Sequence, residues 1–226
     1  MIIPVYNDAQ TLLETSNLFS QALSRGTFSF ELIFVNDCST DASLEFLEKL
    51  SGSNKQIHFI SHQNNLGKGA AIRSGLLKAT GAIILFGDAD MEFDPTQCLE
   101  LINPIRDGKA EMVNGSRYLN EHHQKNFRSF ANKLYGNFFR ILTSSIVSDF
   151  ACGYKAIKRE KLVEFELKEN GFGIEAELMM KACRRNTNMI EVPVKYKQRT
   201  KEQGKKLGNM DAVKILLVLF KYRFSK

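Results

Sequence analysis

Cysteine is scarce in this sequence and never clustered. Its four residues, Cys38, Cys98, Cys152 and Cys183, stand far apart, with no Cys-x-x-Cys and no histidine at ligand spacing. That argues against a zinc site and a disulfide framework, and it fits a reduced, cytosolic setting. Long apolar runs are missing too. None approaches the roughly 18 to 20 residues that span a bilayer, and no signal peptide is recognisable. Proline is equally rare, four residues in 226, and no tract rich in proline, glycine or serine breaks the chain as a linker would. There is no internal repeat and no low-complexity segment. These absences leave one large α/β domain, or a core with an appendage, long enough to bury a substantial interior. The chain opens directly on strand-like residues, Met1-Ile2-Ile3-Pro4-Val5, so a short natural lead-in is expected to be missing or trimmed.

Negative charge is in deficit. Against 25 Asp and Glu stand 31 Lys and Arg, a net +6, which suits an anionic partner: a nucleotide, a nucleic acid or membrane phosphate.

What is present is a regular alternation through the first half. Strand signals at 1–5, 32–35, 57–60, 82–86 and 112–114 are interleaved with helical spacing at 9–23, 41–50, 70–79 and 95–106. This order predicts a mostly parallel central sheet with right-handed crossovers and helices on both faces. The second half differs. Phe127, Phe130, Leu134, Phe138, Ile141 and Leu142 recur at helical spacing, and 175–185 reads as another helix. Glu191-Val192-Pro193-Val194-Lys195-Tyr196 reads as an edge strand, because proline removes a ladder donor. Residues 195–206 carry six basic residues against one acid, and a helix-like segment closes the chain over 211–226.

The strand Ala82-Ile83-Ile84-Leu85-Phe86 delivers Asp88 and Asp90 at its carboxyl end, where open α/β sheets bind ligands. Two carboxylates this close repel, and a hard divalent cation relieves the conflict. Mg²⁺ in particular is usually held by one or two carboxylates plus substrate phosphates. A solvated turn explains an isolated Asp-x-Asp equally well. Two further strand ends decide the matter: Pro4-Val5-Tyr6-Asn7, and Asn36-Asp37-Cys38-Ser39-Thr40-Asp41. Asp37 can accept from the ring N–H of a uracil or guanine. Asp41 serves either the nucleotide or the N-cap of the next helix. Asn64-Asn65-Leu66-Gly67-Lys68-Gly69 is a glycine-rich turn opening a helix. It is not a Walker A loop, and it either brings Lys68 or Arg73 to a phosphate or is a plain helix start.

Taken in order, Ile3-Pro4-Val5-Tyr6-Asn7, Asn36-Asp37-x-Ser39-x-Asp41, Asn65-Leu66-Gly67-Lys68-Gly69, Asp88-Ala89-Asp90, Gly115-Ser116-Arg117-Tyr118 and Asp149-x-x-x-Gly153-Tyr154-Lys155 resemble family 2 glycosyltransferases of the GT-A fold. The set is most similar to the polyprenyl-phosphate (dolichyl-phosphate) mannose and glucose synthases. The likeness continues into Glu191-Val192-Pro193-Val194 and Gly204-Lys205-Lys206-Leu207. It implies a GT-A domain over 1–208, with a nucleotide-sugar half (1–116) and an acceptor half (117–208), followed by a basic amphipathic helix over 209–226. It implies that Pro4, Tyr6 and Asp37 line the base and ribose pocket, and that Lys68 lies on the donor side. Asp88 and Asp90, with Glu92, would address Mg²⁺ or Mn²⁺ and the donor diphosphate. Arg117 and Arg128 would meet the acceptor phosphate, with Asn132 close behind, and Glu175 and Glu177 would lie on a helix under the sugar. Arg199 and Lys206 would sit on a loop that closes over the donor. The usual Gly-Ser-Lys of that loop here reads Gly204-Lys205-Lys206. The C-terminal transmembrane helices of some relatives have no counterpart in this sequence.

Chemistry agrees with those roles. A phosphate monoester acceptor has a second pKa near 6 and is largely a dianion at pH 7. It needs the bidentate grip of arginine more than a base. A hydroxyl acceptor, on a glycan or small molecule, would instead need a carboxylate base, Glu175 or Asp149. A sugar nucleotidyltransferase would carry a Gly-rich, Arg- and Lys-bearing loop after the first strand, and Tyr6-Asn7-Asp8 is none. A basic nucleic-acid-binding module is disfavoured because the positive charge is confined to the tail. The last segment, Ile215 to Phe220 among Lys214, Lys221, Arg223 and Lys226, is too short to cross a bilayer but can lie in its interface. The expectation is a peripheral protein on the cytosolic membrane face. The alternative has this helix packing on the body of the domain, or pairing with a second subunit in a homo-oligomer.

Overall fold

The computed structural model describes residues 1–119, 136–197 and 209–224. Arg128, Asn132, Arg199 and Lys206 therefore lie outside the described residues. The strands are β1 (Ile2–Val5), β2 (Leu32–Asn36), β3 (Ile57–Ser61), β4 (Ile83–Phe86), β5 (Met112–Ser116), β6 (Lys155–Lys158) and β7 (Met189–Pro193). The helices are α1 (Ala9–Ser24), α2 (Ser43–Ser53), α3 (Lys68–Lys78), α4 (Cys98–Arg106), α5 (136–143), α6 (Arg159–Glu164), α7 (Ile174–Arg184) and α8 (Asn209–Phe224), with a 3-10 turn at Pro95–Gln97 leading into α4.

One seven-stranded sheet runs β3-β2-β1-β4-β6-β5-β7. β1 pairs in parallel with β2 and with β4, so the chain order reverses there and a crevice opens at the carboxyl ends of both strands. β6 is the exception: it lies antiparallel between β4 and β5. Its four residues, Lys-Ala-Ile-Lys, are too few and too basic at both ends to announce a strand, and neither β6 nor α6 is legible in the sequence. β7 is the edge strand that Pro193 predicts, with that proline opposite Ser116 at the last rung.

Strand side chains alternate between two cores, as a period of two requires. Ile2, Ile33, Ile84, Met112 and Ile157 face the core beneath α3, α5, α6, α7 and α8. Ile3, Phe34, Leu85, Val113 and Ala156 face the core beneath α1, α2 and α4. Both faces of the sheet are covered, which explains why β2 reads as an uninterrupted buried run.

α8 packs on α7. Val218, Leu219 and Tyr222 enter the core, and Arg184 donates to the Tyr222 carbonyl at 2.8 Å. Gly173, just before α7, leaves room for Val218. The opposite side of α8 keeps Val213, Leu217, Phe220 and Phe224 exposed, a stripe at spacings of four, three and four. Phe220 also meets Phe138 of α5 at 5.1 Å between ring centroids. Among the described residues no helix is long and apolar enough to cross a membrane.

Candidate active site

Three strand ends meet at the crevice. Each turns through a non-glycine residue with left-handed backbone: Asn7 after β1, Cys38 after β2 and Met91 after β4. Such residues cost about 1–3 kcal/mol each and collect at functional loops. Hydrogen bonds hold the first two turns together. Asn7 accepts from the Thr40 amide at 2.7 Å and donates its own amide to Ser39 Oγ at 3.0 Å. Asp41 accepts from the amides of Ala9 and Ser43, at 3.0 Å each, and so starts both α1 and α2. The N-cap position of α2 is Ala42, one residue further on, so Asp41 ties the two turns together from just ahead of the cap.

Asp37 is drawn inward. Its Oδ1 accepts from the Leu66 amide at 2.8 Å and lies 2.8 Å from His62 Nδ1. Its Oδ2 accepts from the Gly67 amide at 2.7 Å. His62 is fixed in turn by Ser74, 2.9 Å from Nε2. The carboxylate thus anchors the glycine-rich turn, and about one of its four lone-pair sites, on Oδ2, is left for a ligand. Pro4 lies within β1, opposite Val35, and Tyr6 follows the strand, half-buried.

The glycine-rich turn is docked against 169–171 and does not open toward a phosphate. Gly67 has φ +94°, and a Cβ there or at Gly69 would strike the carbonyls of Asn170 and Glu169. The Ala70 amide donates to the Asn170 carbonyl, and Arg73 donates to the Glu169 carbonyl and Asn170 Oδ1. Arg73 is therefore spoken for. Lys68, the first residue of α3, points the other way. Its Nζ bridges Asp88 Oδ1 at 2.8 Å and Glu175 Oε1 at 2.9 Å. Burial alone would lower the ammonium pKa, but the two carboxylates outweigh it and push it up, so Lys68 is charged. Gly153 has no side chain for a reason: a Cβ would lie 2.7 Å from Asp88 Oδ2 and 3.2 Å from Lys68 Nζ.

After β5, Arg117 and Asp149 form a forked ion pair. Nε donates to Oδ2 at 2.7 Å, Nη2 to Oδ1 at 2.8 Å, and the Arg117 amide to Oδ2 at 3.1 Å. The Asp149 side chain is 2% exposed. Burial would raise its pKa, yet the Arg117 charge and these hydrogen bonds overcome that and hold it below the ordinary carboxylate range. Glu191 of β7 accepts from the amides of Ser148 and Asp149 and from Asn114 Nδ2, fixing this loop from the sheet side. Beneath it Lys155 is fully buried and donates to the Cys152 carbonyl.

Asp90 and Glu92 follow β4. The Glu92 amide donates to Asp90 Oδ1 at 3.1 Å, and Tyr196 donates its hydroxyl to Glu92 Oε2 at 2.9 Å. Among the described residues no group of three or more His, Cys, Asp or Glu could hold a metal by itself. Asp88, ion-paired to Lys68 through Oδ1, stands with Asp90 and Glu92 as the hard oxygen donors after β4. That donor set fits Mg²⁺ or Mn²⁺ bound together with substrate phosphates, and does not fit an all-protein cage.

The resemblance puts Glu177 on a helix under the sugar, and the structure shows it as an anchor: entirely buried, it accepts from the amides of Lys168 and Glu169 and pairs with Lys181 at 2.6 Å, so it holds the loop that covers α3. Sequence reasoning gave the side chains of Glu191 and Tyr196 no role here, because their partners are remote in sequence.

A seven-stranded mostly parallel sheet with carboxylates and cations gathered at its switch point defines a nucleotide-sugar-dependent transferase of the GT-A fold. The sequence pattern of Glycosyl transferase family 2 matches residues 1–165, and the chain belongs to that family of enzymes. A dolichyl-phosphate beta-glucosyltransferase of Trichomonas vaginalis is 30% identical over 244 residues, 99% of this chain and 73% of that protein. The dolichol-phosphate mannosyltransferase of Pyrococcus furiosus is 28% identical over 213 residues, 92% of this chain but 59% of that one. The glycosyltransferase AglD of Haloferax volcanii is 24% identical over 202 residues, and this chain spans only 32% of its length. Among solved structures, glucosyl-3-phosphoglycerate synthase of Mycobacterium tuberculosis, in complex with Mn²⁺, UDP and phosphoglyceric acid, superposes with a TM-score of 0.73 at 20% identity. The match covers 100% of this chain and 78% of that one.

Proposed function

We propose that the protein is an inverting, metal-dependent glycosyltransferase that moves a hexose from a nucleoside diphosphate sugar, of the UDP-glucose or GDP-mannose type, to a polyprenyl phosphate. The observation that carries the acceptor half is the condition of the two candidate bases. Asp149 has both oxygens engaged by Arg117 and a depressed pKa, and Glu175 is paired with Lys68. A hydroxyl acceptor would need one of them to take its proton, and carboxylates held by cations are poor bases. A phosphate dianion brings its own nucleophile and needs only to be held. The relatives named for transfer to dolichyl phosphate or dolichol phosphate support this reading.

Within it, residues 1–116 bind the donor and 117–208 the acceptor. Pro4, Tyr6 and Asp37 line the base and ribose pocket, Asp37 offering its remaining lone pair to a ring N–H. Asp88 and Asp90, with Glu92, would hold the cation, and Lys68 balances Asp88 and Glu175 from the donor side. A bound Mg²⁺ or Mn²⁺ supplies positive charge where the departing diphosphate gathers negative charge. Arg117 keeps N–H groups beyond those given to Asp149 and turns them to the acceptor phosphate. Arg128 for the acceptor phosphate, and Arg199 and Lys206 for the donor, lie outside the described residues and keep the roles that the family resemblance implies. A second reading, transfer to the hydroxyl of a small phosphorylated acceptor, is favoured by the phosphoglyceric acid in the solved neighbour.

Release of free UDP or GDP from a panel of nucleotide sugars separates the two. Release that depends on a short-chain polyprenyl phosphate supports the first reading; release only with phosphoglycerate or another soluble hydroxyl supports the second. With polyprenyl phosphate as acceptor, Arg117→Lys keeps a charge against Asp149 but loses the fork. It should raise the acceptor KM about tenfold to a hundredfold, the loss of a charge-assisted contact, with donor affinity intact. Loss of donor affinity in its place would move Arg117 to the donor side.

The same reading makes the protein peripheral on the cytosolic face of a membrane. The outer stripe of α8, flanked by exposed Lys214, Lys221 and Arg223, is suited to acyl chains below and anionic headgroups around. Leu217 and Phe224 are 63% and 74% exposed, so the Leu217→Glu, Phe224→Glu variant should keep its melting temperature. Flotation with anionic liposomes should be lost in this variant and should weaken with salt in the parent. Equal, salt-insensitive flotation of both would reject α8 as the membrane contact.

A further inference from the structure

The segment after β7 crosses to the β4 loop at one place. Phe93 and Tyr196 form an isolated antiparallel bridge, and the Lys197 amide donates to the Glu92 carbonyl at 2.8 Å. From there the Tyr196 side chain touches both halves of the site. Its hydroxyl donates to Glu92 Oε2 at 2.9 Å, its ring lies 5.2 Å from the Phe93 ring, and the Arg117 guanidinium stacks over it at 5.1 Å. Packing alone would be served by phenylalanine. The hydroxyl has one visible task, to orient Glu92, and the ring has another, to back Arg117 opposite its Asp149 partner.

We propose that Tyr196 is a positioning residue that couples the donor loop to the acceptor arginine: its hydroxyl sets Glu92 and its ring sets Arg117. The inference rests on the reading of Asp90 and Glu92 as the metal and donor loop, and it goes further by dividing one side chain between the two substrates. Removing the hydroxyl must therefore disturb donor binding alone, and removing the ring must disturb the acceptor as well.

Calorimetric titration with Mn²⁺ and UDP, and with Mn²⁺ and GDP, reads the donor side without turnover. Steady-state kinetics with a short-chain polyprenyl phosphate reads the acceptor side. Tyr196→Phe should weaken Mn²⁺-nucleotide binding about tenfold, the low end for a hydrogen bond to a charged group, with acceptor KM and melting temperature near the parent's. Tyr196→Leu should match the Phe variant in nucleotide affinity and add a rise of about tenfold in acceptor KM. A purely structural residue would lower the melting temperature of both variants and show no such split. If the parent binds Mn²⁺-nucleotide and Tyr196→Phe binds it equally well, the coupling is refuted while the site reading stands. If the parent binds neither nucleotide with Mn²⁺, the site reading and the inference fall together.

Discussion

Asp90→Asn is expected to yield a folded protein that has lost most of its transfer activity. The fold survives because the asparagine Oδ1 still accepts the Glu92 amide that closes the turn after β4. On the proposed reading activity falls because one anionic oxygen is removed where a cation would be held against the donor diphosphate. Deleting one preorganised electrostatic partner of a developing charge costs about 2.7–4 kcal/mol, a loss in kcat on the order of 10² to 10³. Turnover measured across a Mn²⁺ and a Mg²⁺ titration, beside a melting curve, checks this. Near-parental turnover with unchanged metal dependence would remove Asp90 from the site.

Asp149→Asn should be strongly destabilising for so conservative a change. The substitution keeps the shape but leaves the Arg117 guanidinium, 12% exposed, without its counter-charge. Breaking a buried pair by neutralising one partner costs about 3–5 kcal/mol, or roughly 6–20 °C in melting temperature for a chain of this size. The effect carries a pH signature. The folded-state pKa of Asp149 is depressed, so the contribution of the pair is complete above the ordinary aspartate value of about 3.9 and is lost as pH falls through the lower folded value. The stability gap between parent and variant should therefore be widest near neutrality and should close in acid below about pH 4. A gap that persists undiminished into that acid range would mean the carboxylate charge is not what holds Arg117. Removing both partners, as Arg117→Met with Asp149→Leu, should restore part of the loss, because no buried charge is then left alone.

Much of this protein was legible locally. β2 is five consecutive buried residues, and β4 begins and ends against glycine-bounded turns, so both announce themselves without reference to any other part of the chain. The carboxylates that follow β2 and β4 need only the rule that parallel strands present their carboxyl ends to ligands. The family pattern over 1–165 adds order to these pieces. Where the reading faltered, the cause is physical. β6 has no apolar run of its own and is a strand because β4 and β5 offer it two ladders. α8 has apolar residues around most of its circumference, so no sequence period says which side will meet α7.

The sequence by itself determined the strand–helix alternation, the two-faced apolar pattern that makes a covered parallel sheet, and the residue types that arrive at the crevice. Those depend on neighbours within a few positions, and the side-chain period of strand or helix transmits them directly. Only the tertiary structure decided which charge answers which. Arg117 finds Asp149 across 32 residues and Tyr196 finds Glu92 across 104. Lys68 chooses Asp88 and Glu175 together, from β4 and α7. A carboxylate reads the same in sequence whether a lysine, an arginine, a backbone amide or a metal will balance it. The strand order brings one of these within 3 Å and keeps the others away, and that choice makes Glu177, answered by the Lys168 and Glu169 amides and by Lys181, an anchor.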